Sequence, residues 1–128
     1  MTVAPGFAAE QLVKVPFELG PSHFRGGEEI VIEQVLATSG GLGAGDTVTV
    51  RGRYTLKSAE RARLCLYLTT DRSAGPEPES PTQMTTVKRG SGTFELTKTL
   101  KNPGHLHLGF YGGGTSGTVY FGTKQQME

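Results

Sequence analysis

His105 and His107 stand two apart in the segment HLHLGFY, and Tyr111 closes it. Residues two apart on an extended strand share a face, so both imidazoles and the phenol point the same way. Two imidazoles at that spacing can share a zinc or copper ion, but such a site needs a third ligand from another strand, and nothing in the sequence nominates one. Without a metal, the same side chains offer donors, acceptors and one flat ring, the chemistry of a shallow polar ligand. Gly109 leaves a gap in the relief between them. His105, His107 and Tyr111 are therefore the candidate ligand-binding residues, with no metal and no cofactor assigned.

Other reactive groups lack the company that catalysis needs. A Ser or Cys nucleophile requires a base beside it and donors for the oxyanion. No serine sits in a Gly-x-Ser-x-Gly elbow, and Arg89-Gly90-Ser91-Gly92 reads as a hairpin connection. Cys65, the single cysteine, lies inside an apolar run as a small buried hydrophobe. The glycine loop at 112–117 lacks the Lys-Ser/Thr of a phosphate-binding loop. Glu28 and Glu29 fall on opposite faces of a strand and cannot act on one bond. Asp71, Glu77 and Glu79 could offer oxygens to calcium, but their spacing among prolines matches no calcium loop. The expectation is a protein that is not an enzyme.

The 128 residues suit one domain, and 13 Lys plus Arg against 12 Asp plus Glu leave a net charge of +1. That balance removes the footprint of a general nucleic-acid binder. The local cluster Arg51, Arg53, Lys57, Arg61 and Arg63 reads as solvated strand faces and a turn. One cysteine allows no intrachain disulfide. No apolar run is long enough for a membrane span, and no signal-peptide pattern opens the chain. Nineteen glycines, clustered between apolar runs without a Gly-x-y period, indicate a turn-rich β protein.

The elements follow from period-two alternation. In residues 46–57, Val48, Val50, Tyr54 and Leu56 oppose Thr47, Thr49, Arg51, Arg53, Thr55 and Lys57, which predicts a strand with one wet face. Gly52 on its apolar side suggests a bulge or close backbone approach. Residues 62–70 repeat the pattern with Leu64, Leu66 and Leu68 inward; the short 58–61 link predicts that the two strands pair antiparallel. Residues 11–17, 28–38, 83–88, 92–100, 105–111 and 118–121 complete about eight strands. Residues 83–88 and 92–100 read as a hairpin, and Asn102-Pro103-Gly104 as a type II turn. Residues 1–10 form a loose lead-in, 11–122 a single domain and 123–128 a polar tail. The expected fold is all-β, an antiparallel two-sheet sandwich of jelly-roll kind.

The order Phe24-Arg25-Gly26-Gly27, GDTVTVRGRYTL (45–56), GSGTFEL (90–96), HLHLGFY and GTVYFG resembles small accessory β-sandwich modules. These are the galactose-binding-like jelly rolls of larger bacterial regulatory or cell-envelope proteins. The likeness spans about residues 23–122 and implies a non-catalytic module, extracytoplasmic as part of its parent, with a glycan or protein ligand. Sugar binders of this kind stack aromatics on pyranose rings; the chain has no Trp and four Tyr, and no binding residue transfers from the resemblance. The rival expectations are a sensory domain controlling a linked effector, and a small metal-binding protein or enzyme using His105 and His107.

Overall fold

The computed structural model describes residues 11–70, 75 and 77–128. The lead-in at 1–10 lies outside them. Among the described residues every strand belongs to one antiparallel sheet of seven. The strands are β1 (Val13–Lys14), β2 (Glu18–Phe24), β3 (Glu29–Ala37), β4 (Thr47–Thr69), β5 (Met84–Thr99), β6 (His105–Tyr111) and β7 (Gly117–Gly122). The all-β expectation holds, but among the described residues there is one hydrogen-bonded sheet and no separate second one.

Two expected hairpins are in fact single long strands. Residues 46–57 and 62–70 do not pair with each other but run on as β4, and 83–88 and 92–100 run on as β5. β4 and β5 pair in two blocks, Thr47–Leu56 with Gly90–Thr99 and Arg61–Cys65 with Met84–Lys88. Between these blocks, residues 57–60 stand opposite Arg89 alone, so the ribbon turns a corner at a wide bulge. Gly90 supplies the positive φ there (120°).

The other edge of β4 forks at that corner. Before it β4 pairs with β3, and after it with β6, which continues through β7 to β2. The sheet thus curls into two arms that share β4 and β5. Their inward faces meet in one core, with Val48, Val50, Leu56, Leu64, Leu66, Leu96, Leu106, Leu108 and Phe121 buried. The expected inward leucines Leu64 and Leu66 are buried, and Leu68 packs against the same core.

Glu28 locks the corner. It is buried and accepts from the amides of Lys57 (2.9 Å) and Ser58 (3.0 Å), the Ser58 hydroxyl, and Thr115 Oγ1 (2.7 Å). Burial alone would raise its carboxyl, but the two hydroxyls and two amides outweigh it and hold the pKa at about 2. Asp46 likewise ties the 39–45 loop through Thr38, Ser39 and the Gly43 amide, seating Leu42 in the core at a positive φ of 51°.

One local expectation changes and another holds. Gly104 lacks the positive φ that a type II turn demands; a β-carbon there would lie 2.3 Å from the Thr69 carbonyl oxygen, so close approach explains the glycine. Gly52 is also a close-approach glycine, 2.0 Å from the Val31 carbonyl by the same measure, opposite the bulge between Ile32 and Gln34. The polar tail packs back, Gln126 donating to the Gly41 and Leu42 carbonyls. Among the described residues no helix is long and apolar enough to cross a membrane.

Candidate functional site

With Leu64, Leu66 and Leu68 turned to the core, Arg63, Cys65, Tyr67 and Thr69 must face out of the second arm. Register then sets their neighbours. Tyr67 stands opposite His107, which stands opposite Tyr120, making one row across β4, β6 and β7. Arg63 is opposite Tyr111, and Cys65 opposite Gly109. The ring centroids of His107 and Tyr120 are 4.8 Å apart, those of Tyr67 and His107 6.1 Å, and Tyr67 meets Tyr111 edge-on at 5.3 Å. Three of the chain's four tyrosines and one of its three histidines thus share one half-buried plate.

Hydroxyls join the rings. His107 Nδ1 lies 3.3 Å from Thr69 Oγ1, and its Nε2 3.3 Å from the Tyr111 hydroxyl. Thr69 Oγ1 is also 3.2 Å from the Tyr120 hydroxyl. The expected gap at Gly109 is filled, because Tyr111 folds back over it; a β-carbon at 109 would be 3.1 Å from both Cε2 and the hydroxyl of that ring.

Burial sets the protonation states. It lowers the His107 pKa and favours the neutral ring. Burial also raises Tyr111, and pushes Tyr67 up to about 12 with help from the Cys65 thiol beside it. The Cys65 thiol is itself raised by burial, as expected of a buried hydrophobe. Tyr67, His107 and Tyr111 therefore carry no charge near neutrality, and the plate is a surface of rings edged with donors and acceptors.

The chain matches no protein-family model, no curated protein and no solved structure. Its site is read from geometry. Of the predicted residues, the structure brings His107 and Tyr111 into contact. His105 sits at the rim, exposed, lining a cavity of about 280 Å³ with Pro21, Thr69, Tyr120, Gln126 and Met127. Tyr67 and Tyr120 were missed by sequence, although inward Leu66 and Leu68 already implied an outward Tyr67.

Metal chemistry finds no third ligand: among the described residues no group of three His, Cys, Asp or Glu could hold an ion. In the acidic loop, Asp71 lies outside the described residues. Glu77 is spent on the Lys98 ammonium (3.5 Å), the Lys101 amide and the Asn102 side chain (2.6 Å). Lys98 is an inward-facing cation only 3% exposed, and it also donates to the Pro78 carbonyl at 2.9 Å. At Glu77 the segment that reads as solvated is thus pinned to the sheet by its pairing with a buried cation.

Proposed function

We propose that the domain is a non-catalytic glycan-binding module, an accessory part of a larger bacterial protein, and that the Tyr67–His107–Tyr120 row is its binding platform. One observation carries this reading: three tyrosines and a histidine lie ring to ring on an outward sheet face, linked by hydroxyls. Ring faces take the C–H face of a pyranose, while phenol, imidazole and threonine groups exchange hydrogen bonds with sugar hydroxyls. Paired strands hold the rings before the ligand arrives, which lowers the ordering cost of binding. The two arms are read here as the two layers of a jelly-roll-like sandwich, sharing β4 and β5 at their corner.

Titration calorimetry against an oligosaccharide panel tests the proposal. Tyr67→Ala and Tyr120→Ala should each weaken the best ligand by about tenfold, the size of one lost ring contact. Far-UV dichroism of both variants should match the parent. Unchanged affinity in both would move the site off this face, and a parent that binds no sugar would end the glycan reading.

A further inference from the structure

The outward face of β4 carries four arginines, and they are treated in two different ways. On the first arm, Arg51 pairs with Glu95, and Arg53 with Glu33 at 3.0 Å. On the second arm, Arg61 and Arg63 are exposed and make no ion pair among the described residues. Instead Arg61 stands directly opposite Lys88, another exposed cation, and Arg63 lies between Thr86 and Tyr111. Like charges opposite one another on a sheet destabilise it. An arrangement that neutralises one pair of arginines, and in the other pair sets Arg61 against a lysine, leaves positive charge facing outward.

The position of this patch decides what the anion belongs to. Arg63 precedes Tyr67 by four residues on the same strand face, about 13 Å, with the Tyr111 ring between them across the register. The basic patch and the aromatic platform are therefore two ends of one continuous strip. Two carboxylates lie at this end: exposed Glu60, next to Arg61 in the chain, and Glu79, which lines a cavity of about 520 Å³ with Arg63, Met84 and Thr86. The cations Arg61, Arg63, Lys88 and Arg89 outnumber them.

Resting on the glycan reading above, we infer that the ligand is an acidic oligosaccharide, its sugar rings on Tyr67 and His107 and its carboxylate or sulfate groups against Arg61, Arg63 and Lys88. Arginine forks suit such oxyanions by paired hydrogen bonds, and a surface site of this kind weakens as salt rises.

The test uses the whole chain and calorimetry with four probes: oligogalacturonate and chondroitin sulfate fragments, and uncharged cello- and malto-oligosaccharides of equal length. The acidic probes should bind at least about tenfold more tightly than the neutral ones, a preference that collapses between low and high salt. Arg61→Ala/Arg63→Ala should remove it, and Glu79→Gln should strengthen acidic binding; all three positions are at the surface, so the fold is retained. Equal binding of neutral and acidic probes would overturn the acidic inference and leave the platform standing. Acidic binding that survives Tyr67→Ala and Tyr120→Ala, or that a short DNA duplex reproduces, would show charge capture without sugar recognition and overturn both. Absence of binding by any probe would do the same.

Discussion

The Tyr111 hydroxyl reaches His107 because residue 109, between them on the same face, has no side chain. Gly109→Ala would place a methyl 3.1 Å from the Tyr111 ring and from the Gly117 carbonyl oxygen. The ring can swing out, while the backbone oxygen cannot. The expected result is a folded protein destabilised by about 1–3 kcal/mol, with the Tyr111–His107 bond lost. Histidine ring NMR across a pH titration checks it: the His107 resonance should titrate at a different pH from the parent's.

Leu66 lies at the centre of the second arm with no exposed surface. Leu66→Ala should cost about 2–5 kcal/mol, through lost burial and the cavity left behind. A urea midpoint within error of the parent's would place the leucine face outside the core.

Glu28 makes stability depend on acid. Its folded pKa of about 2 lies below the ordinary 4.5, so its contribution is present above about pH 4.5 and is lost as pH falls toward 2. The shift corresponds to roughly 3 kcal/mol. Urea midpoints from pH 6 to pH 2 should fall steeply in the parent and more gently in Glu28→Gln. Asp46, lowered by Ser39, Gly43 and Thr38 against the opposing effect of burial, should keep some slope in that variant.

Lys98 and Glu77 should respond unequally to removal. Glu77→Ala strands a buried ammonium with the Pro78 carbonyl alone and should cost about 3–5 kcal/mol. Lys98→Met removes that charge and leaves Glu77 its bonds to Lys101 and Asn102, so it should cost less. The reverse order in thermal unfolding would contradict the assignment of Lys98 as the anchored partner.

Faces were legible in the sequence; partners were not. Alternation placed Val48, Leu64, Leu66, Leu106 and Leu108 inward correctly, and it put His107 beside Tyr111 because their relation lies within one strand. The corner was misread because a short polar link opposite Arg89-Gly90 has the local chemistry of a hairpin as well as of a wide bulge. Only pairing with residues some 35 apart in the chain distinguishes them. Tyr67 and Tyr120 escaped for the same reason: their meeting at His107 depends on register across three strands. β2 was missed because Gly20 and Pro21 interrupt its pattern, as suits an edge strand with a bulge.

The corner in β4 and β5 also governs how the domain can come apart. Each arm owns only part of those two strands, so there is no seam along which one half could peel from the other and stay intact. Loosening one arm strips partners from a strand that the other arm still needs, and the cost is felt on both sides. Breathing motions therefore belong to the margins: two-residue β1, edge strand β2 with its exposed Leu19, and β5, which among the described strands pairs with β4 alone. The aromatic strip crosses β4, β6 and β7, and its centre, His107, sits on a strand held by partners on both sides.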